Sequence, residues 1–276
     1  MAANHPKMDI GELKCDHTWV RAGIHGVIKK TIDDKLVVKY AATYQDEKHR
    51  SLQQYSAVSY AKEKEIYEHL GDHPFILKYY GETKVVLDNG EKMALVFQYH
   101  PAESLMRAIY ENLMDNYAEK KMEWFIQIAE AVRYIHSKDV LHGLIEIDNF
   151  LIQSDGALVL ADFGESIIHG KRERMGWSFK FGMNYTKECE IYSIGTLMYQ
   201  ISTNQQLYPT ESQEEIAELY RAGVIPDLTA VTIPGIADII EKCMTKKYNN
   251  VEELLQDLRP VVAANKSIPT SALTTS

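Results

Sequence analysis

The sequence predicts an α+β protein of two unequal lobes, a small strand-rich lobe followed by a larger helical lobe. Strand-like alternation of apolar residues is concentrated in about the first third of the 276 residues, and helical spacing dominates the remainder. The composition, 45% hydrophobic and 25% charged, is that of an ordered chain with a sizeable core. Segregation of strands and helices along one chain is typical of the α+β class.

The small lobe is predicted over residues 18–97, after an N-terminal extension over residues 1–17. Three strands are expected within residues 18–42, in the stretches TWVRAG, HGVIKKTI and KLVVKYA. A helix follows over residues 51–70, because a glycine and then a proline end its spacing. Two further strands, ILKYYGETKVVL and KMALVFQY, are joined by a turn at 88–90.

The large lobe is predicted over residues 98–260 and is mostly helical. Its exception is the stretch FLIQSDGALVLADFG, whose halves predict a hairpin around Asp155 and Gly156. The stretch that begins at Glu190 has so little polar surface that we expect a buried helix there. Residues 261–276 are small and polar, and we expect them to form a flexible C-terminal tail.

The composition also excludes several classes of function. A net charge of −9 argues against broad binding of nucleic acid, whose phosphates need cations. Three cysteines are too few for a scaffold held by disulfides. No run of about 18 apolar residues is present, and the first residues lack an apolar signal core, so we expect no membrane association. We therefore expect an intracellular protein of the cytoplasm.

The predicted helix at 51–70 carries a carboxylate on its apolar face. At about 100° per residue, one face contains Leu52, Tyr55, Ser59, Ile66 and Leu70. Glu63 falls within this face, whereas Glu65 points to the opposite side. An inward carboxylate needs a cation, because burial of an unpaired charge is costly. The alternative is that Glu63 lies at the edge of the face and reaches water.

Three segments contain residue types that suit nucleotide chemistry. Gly23 and Gly26 lie between two strands, where small residues let backbone amides approach a phosphate, although an ordinary tight hairpin explains the same glycines. Lys39 ends an apolar strand. Asn149 and Asp162 are separated by the predicted hairpin, so their oxygens can converge on one hard cation.

Taken in order, these segments resemble the protein kinase family over about residues 18–260. The order is that of the family signature: glycine loop, strand Lys, helix Glu, the loop from His142 to Asn149 with six residues between them, and Asp-Phe-Gly at Asp162. The resemblance implies a bilobal protein-kinase-like fold that binds ATP, with Mg²⁺. The stretch 217–258 is in addition similar to small fungal kinase-like proteins.

The resemblance also implies roles for individual residues. Lys39 would hold the α- and β-phosphates of ATP and pair with Glu63, beneath the loop that contains Gly23 and Gly26. Asn149 and Asp162 would be the metal ligands. The gatekeeper and the hinge beside the adenine would be formed by Phe97, Gln98, Tyr99 and His100.

The pattern departs from the family where phosphate is transferred. Two positions after His142, Leu144 replaces the aspartate that accepts the proton of the substrate hydroxyl. Leucine has no lone pair, and a positioned base contributes about 10²–10⁴-fold in rate. Glu146 replaces the lysine of many Ser/Thr kinases, and Glu146 or Asp148 is the candidate for a displaced base.

Other departures concern the surroundings of this loop. Gly143 replaces the arginine that follows the histidine, and Arg21 replaces the first glycine of the phosphate loop. No Ala-Pro-Glu motif is present between Gly164 and Glu190, and Glu190 replaces an aspartate that anchors backbone in the family. Most of the departures thus affect phosphoryl transfer and substrate docking.

We interpret the chain as a pseudokinase that binds ATP and Mg²⁺, transfers phosphate poorly or not at all, and acts as a scaffold or allosteric regulator of an unidentified protein partner. The first alternative is a divergent but active Ser/Thr kinase. The second is a protein-interaction module that does not bind nucleotide.

Overall fold

The computed structural model describes residues 13, 15–44, 46–87, 90–102, 104–170, 186–208 and 210–266. These residues form two compact units. The first unit contains the described residues up to Pro101, together with 138–142 and 161–170. The second contains the described residues of 102–137, 143–160 and 186–266. In the described part of the chain, no helix is both long and apolar enough to cross a lipid bilayer.

The first unit is built on a five-stranded antiparallel sheet. Its strands are β1 (Cys15–Gly23), β2 (Gly26–Thr31), β3 (Leu36–Tyr40), β4 (Tyr79–Leu87) and β5 (Gly90–Gln98), in the order β1-β2-β3-β5-β4. Leu13 adds a parallel bridge to Val85 on β4. The core of the sheet is a cluster of buried apolar residues, among them Val38, Val85 and Val96. Alternating apolar side chains on neighbouring strands therefore meet on one face, as the sequence predicts.

The first unit contains one long helix, α1 (Arg50–Leu70), between strands β3 and β4 of the chain. Its buried positions include Ser59, Glu63, Ile66 and Leu70, whereas Glu65 is exposed, so the predicted inward face is confirmed. The helix ends at Gly71, whose φ of 72° favours glycine.

The first unit also contains a small two-stranded sheet from later in the chain. It pairs β6 (Val140–Leu141) with β9 (Ile167–Ile168) in antiparallel register. The Asp-Phe-Gly sequence lies between these two strands along the chain. Asp162 therefore belongs to the same compact unit as Lys39 and Glu63.

The second unit is mainly helical. Its helices are α2 (Leu105–Tyr110), α3 (Lys121–Ser137), α4 (Lys187–Thr203), α5 (Gln213–Ala222), α6 (Ile236–Met244) and α7 (Val251–Lys266). A hairpin of β7 (Phe150–Ile152) and β8 (Leu158–Leu160) turns at the predicted Asp155–Gly156 position. Helix α4 is the expected buried helix, and it packs so closely on α6 that a Cβ at Gly195 would lie 2.8 Å from Cys243 Cβ.

The structure corrects three predicted boundaries. Strand β1 begins at Cys15, so the predicted extension 1–17 overlaps the sheet, and residues 1–12 lie outside the described part. The small lobe was predicted at about residues 18–97, whereas the first unit continues to Pro101 and also includes residues 138–142 and 161–170. Helix α7 continues through Pro260 to Lys266 because Val262 is buried, whereas we predicted a tail from residue 261. Residues 267–276 of that tail lie outside the described part.

Candidate functional site

Lys39 forms the centre of a buried charge cluster in the first unit. Strand β3 carries its side chain inward, where Lys39 is 4% exposed. Its Nζ lies 2.7 Å from Glu63 Oε2 and donates a 2.7 Å hydrogen bond to Asp162 Oδ1. Glu63 is 1% exposed, so the alternative that it reaches water at the edge of α1 is wrong. Lys39 is the cation that the inward carboxylate requires.

The three charges shift one another's protonation. Burial alone would lower the pKa of Lys39, but Asp162 and Glu63 raise that pKa above its ordinary value, so the amine stays charged. Burial raises the pKa of Glu63 to about 7, against the opposing effect of Lys39, and the Asp162 charge adds to the rise. Burial opposes ionisation of Asp162 too, but Lys39 holds the pKa of that carboxyl well below its usual range. With both carboxylates ionised, the cluster carries a net charge of −1.

The Asp-Phe-Gly segment is held by close packing against α1. Asp162 adopts a left-handed backbone conformation with φ of 62° and ψ of 71°, which aims its carboxylate at Lys39. The Phe163 ring lies 5.0 Å from Tyr67 on α1 and 4.7 Å from His142, centroid to centroid. A Cβ at Gly164 would collide with the Ser59 hydroxyl of the same helix, so a larger residue here requires that hydroxyl to move.

The glycine loop is a tight hairpin in which Gly23 and Gly26 pair across a two-residue turn. Gly26 has φ of 139°, and a Cβ there would lie 2.7 Å from the Tyr40 carbonyl oxygen, so its identity is required by packing on β3. A Cβ at Gly23 would meet nothing within 4 Å. Packing thus explains Gly26 but not Gly23, where the smaller residue leaves open space beside the hairpin.

The residues predicted as gatekeeper and hinge lie at the end of β5. Phe97 is buried, and its ring lies 4.9 Å from the Tyr67 ring. The Gln98 N–H donates to the Lys78 carbonyl, and the Tyr99 N–H donates to the Lys35 carbonyl, both at 3.0 Å. These bonds fix the path of the chain up to His100, which is buried.

The loop that begins at Gly143, in the second unit, is anchored by a buried carboxylate. The Gly143 N–H donates a 2.8 Å hydrogen bond to Glu190 Oε1, and His136 Nε2 lies 2.6 Å from Glu190 Oε2. Glu190 therefore anchors backbone, as the resemblance implied, and His136 is a partner that sequence reasoning missed. Gly143 has φ of 83°, a conformation that glycine adopts without strain and an arginine does not.

The same loop presents Leu144 where the family has its proton acceptor. The Leu144 side chain is half-buried, and its carbonyl accepts a 2.8 Å hydrogen bond from Asn149 Nδ2. Of the two displaced-base candidates, Glu146 is half-buried, and Asp148 Oδ1 lies 3.4 Å from the Ser104 hydroxyl. That Glu146 or Asp148 serves as a displaced base stays a prediction.

The two predicted metal ligands have donor atoms that suit Mg²⁺. Asp162 stays ionised, and 34% of its side chain is exposed. The amide nitrogen of Asn149 is engaged with the Leu144 carbonyl, which leaves the amide oxygen as its ligand atom. Mg²⁺ prefers oxygen ligands, so each of these side chains by itself offers a suitable donor atom; Asp162 belongs to the first unit and Asn149 to the second.

Comparison with known proteins decides the family. A protein kinase domain matches residues 21–258 of the chain. The chain belongs to the protein kinase family. The matched range covers most of the sequence, and with the strand-rich and helical units described above it confirms the predicted fold class.

Individual relatives are similar at low identity. Aurora kinase A-A of Xenopus laevis is 28% identical over 164 residues, which is 56% of this chain and 39% of that protein. The putative mitogen-activated protein kinase kinase kinase 7-like protein of Drosophila melanogaster is 25% identical over 260 residues, 86% of this chain and 63% of that protein. Mitogen-activated protein kinase kinase kinase 17 of Arabidopsis thaliana is 26% identical over 191 residues, 64% of this chain and 51% of that protein.

This kinase domain thus spans less than two thirds of the length of each of these relatives. The similarity of residues 217–258 to small fungal kinase-like proteins stays a prediction.

Proposed function

We propose that this kinase domain is a pseudokinase, which binds ATP with Mg²⁺ but transfers phosphate poorly or not at all. One observation carries the proposal. The charged groups that hold a nucleotide in this family are all present around Lys39, whereas Leu144 stands where the proton acceptor belongs.

Electrostatics supports a requirement for the metal. Lys39 is already paired with Glu63 and Asp162, so the cluster has a net charge of −1 when Glu63 is ionised and is neutral when Glu63 is protonated, and it offers no free positive charge to ATP. A polyphosphate adds further negative charge, which a divalent cation on the Asp162 carboxylate offsets. We therefore expect ATP to bind much more weakly when Mg²⁺ is withheld.

The leucine side chain supports impaired transfer. Without a proton acceptor, positioning and electrostatic stabilisation remain, but the factor of about 10²–10⁴ from general-base catalysis is lost. Where the Glu146 carboxylate faces the γ-phosphate at about 4 Å, the repulsion is about 4 kcal/mol at an effective dielectric constant near 20.

A protein without efficient transfer acts through its conformation. The ring of Phe163 links Asp162 to α1 through Tyr67, so a nucleotide that reorients Asp162 also biases that helix. Differential binding to two conformations is sufficient for allosteric control of a partner. The partner of this scaffold or regulator is an unidentified protein.

A second candidate is a divergent, active Ser/Thr kinase. The ionised cluster around Lys39 and the left-handed conformation of Asp162 favour it, because both suit metal-assisted transfer. In that case Glu146 or Asp148 is the base.

The deciding experiment follows transfer of label from γ-labelled ATP, with Mg²⁺, to the chain itself and to a general protein substrate. We expect wild type to equal Asp162→Ala, which also controls for contaminating kinase, and Leu144→Asp to exceed both. Label transfer by wild type that disappears in both Asp162→Ala and Glu146→Gln would instead establish the active enzyme.

A thermal-shift measurement separates the remaining alternative, a module that does not bind nucleotide. At about 100 times Kd, MgATP stabilises the folded state by about 2.7 kcal/mol, which raises Tm measurably. An unchanged Tm across millimolar MgATP contradicts nucleotide binding.

A further inference from the structure

A cluster of polar side chains at the tip of the glycine hairpin is not used by the proposed function. His25 occupies the turn between β1 and β2, and its Nδ1 lies 3.3 Å from the Ser59 hydroxyl on α1 and 3.5 Å from Glu165 Oε1. The Tyr55 hydroxyl, also on α1, donates to the same Glu165 oxygen. We name His25, Tyr55, Ser59 and Glu165 the hairpin latch.

Glu165 is the unusual member of the hairpin latch. It directly follows Asp162-Phe163-Gly164 and is 3% exposed. Its Oε1 contacts Tyr55 and His25, and its Oε2 is buried with no hydrogen-bond partner among the described residues. A buried carboxylate with an unsatisfied oxygen favours whichever arrangement brings a polar group to it. His25 contacts Oε1 rather than Oε2, so the closed hairpin adds a second polar neighbour to the buried carboxylate and leaves Oε2 unsatisfied.

At Gly26, which directly follows the turn, the hairpin lies close to Lys39. A Cβ at Gly26 would lie 2.7 Å from the Tyr40 carbonyl oxygen and 3.9 Å from Lys39 Cε. Gly26 is thus fixed on β3 beside Lys39, and His25 in the turn contacts α1 and the segment after Asp162. The hairpin therefore closes one side of the cluster formed by Lys39, Glu63 and Asp162.

We infer that the hairpin latch is an autoinhibitory contact, which must open before the phosphates of a nucleotide reach Lys39. The inference rests on the proposed nucleotide binding. Both His25 contacts are long, and 24% of its side chain is exposed, so the latch is weak enough for a ligand to open. Its loss is expected to change the opening equilibrium about fivefold to tenfold, the size of one net hydrogen bond.

The test measures, by stopped flow, the association rate of a fluorescent ATP analogue with Mg²⁺ to the full chain. His25→Ala and Glu165→Leu, which has no acceptor oxygen, should each raise the rate about fivefold to tenfold, since each removes one side of the same contact. The double variant should bind the analogue no faster than the faster single variant does, because both substitutions break the same contact. Ile32→Ala, at the exposed turn between β2 and β3, should leave the rate unchanged.

Amide exchange of the peptide spanning residues 23–27, without nucleotide, provides a readout that does not depend on the proposed function. The two single variants should accelerate this exchange by a similar factor, and Ile32→Ala should not. If no variant binds the analogue but exchange accelerates as expected, nucleotide binding fails and the latch stands. A slower or unchanged association rate in His25→Ala, unchanged exchange, or additive effects in the double variant overturns the latch.

Discussion

The cluster around Lys39 and the loop from Gly143 to Asn149 have diverged to different extents. In the first unit, Lys39 keeps both carboxylate contacts at 2.7 Å, and all three residue types are those of the family. In the second unit, the loop keeps Asn149 and its anchor at Glu190, but Leu144 has replaced the proton acceptor. In the proposed pseudokinase, the residues that would hold the nucleotide are retained, whereas the residue that would accept the substrate proton is replaced.

Burial explains why the two regions tolerate change differently. Each charge of the Lys39 cluster neutralises a buried partner, so a substitution there leaves an unpaired charge and destabilises the fold. Leu144 is a half-buried aliphatic residue whose backbone, not its side chain, takes part in the loop hydrogen bonds. Under the proposed function, the base can therefore be absent from the loop while the fold and the Lys39 cluster persist.

The largest expected effect concerns the cluster itself. Lys39→Ala leaves Glu63 buried without its cation, and we expect the free energy of unfolding to fall by about 3–5 kcal/mol. The stabilisation by MgATP should disappear as well. Urea denaturation and thermal shift measure both effects. Lys35→Ala, at an exposed lysine directly before β3, is the matched control and should change neither. If Lys39→Ala and Lys35→Ala lowered the free energy of unfolding equally, the Lys39 cluster would be no more sensitive to substitution than an exposed position, and burial would not explain its retention.

The second-largest expected effect concerns Glu190, the carboxylate that anchors the loop beginning at Gly143. Glu190→Ala leaves the Gly143 N–H and the His136 ring without their shared acceptor, and we expect a loss of about 2–4 kcal/mol in urea denaturation. Glu190→Gln retains one acceptor oxygen and should lose less. Because Lys39 lies in the other unit, MgATP should still stabilise Glu190→Gln. A smaller loss for Glu190→Ala than for Glu190→Gln contradicts the anchoring role.

The pKa of Glu63 predicts a pH dependence in the first region. Between the ordinary value near 4.5 and the folded value of about 7, the native state holds a proton that the unfolded state has lost. The free energy of unfolding therefore falls as pH rises through this window, by at most about 3 kcal/mol, and is flat above it. The pKa of Asp162 is lowered, so protonation of Asp162 changes the free energy of unfolding only below the ordinary pKa of an aspartate. That range lies outside the pH window of Glu63.

Glu63→Gln removes this dependence. The advantage of wild type over the variant should shrink between pH 5 and pH 8, as measured by urea denaturation at both values. Glu65→Gln, on the exposed side of α1, should show no pH-dependent difference. An advantage that grows with pH would instead mean that the Lys39 pair outweighs burial.

Much of this arrangement follows from local sequence, and the rest depends on distant contacts. The spacing of α1 places Glu63 inward, and the glycine at 71 ends the helix, because both effects act within a few residues. The continuation of α7 past Pro260 was missed since the burial of Val262 is a tertiary effect. His136 and Tyr55 were missed as site residues because their partners lie 54 and 110 positions away, where no spacing signal exists.

The smallest expected effect tests whether Gly143 is retained for its backbone. At φ of 83°, an alanine is strained, and we expect Gly143→Ala to lower the free energy of unfolding by about 1–2 kcal/mol. Gly143→Asn should lose less, because asparagine tolerates the left-handed region. The control is Gly23→Ala, where a Cβ meets nothing within 4 Å, and there we expect a change within about 0.5 kcal/mol. If Gly143→Ala lowers the free energy of unfolding no more than Gly23→Ala does, backbone strain does not explain why glycine replaces the family's arginine. Loss of a side chain that recognises phosphate is then the better explanation of this departure.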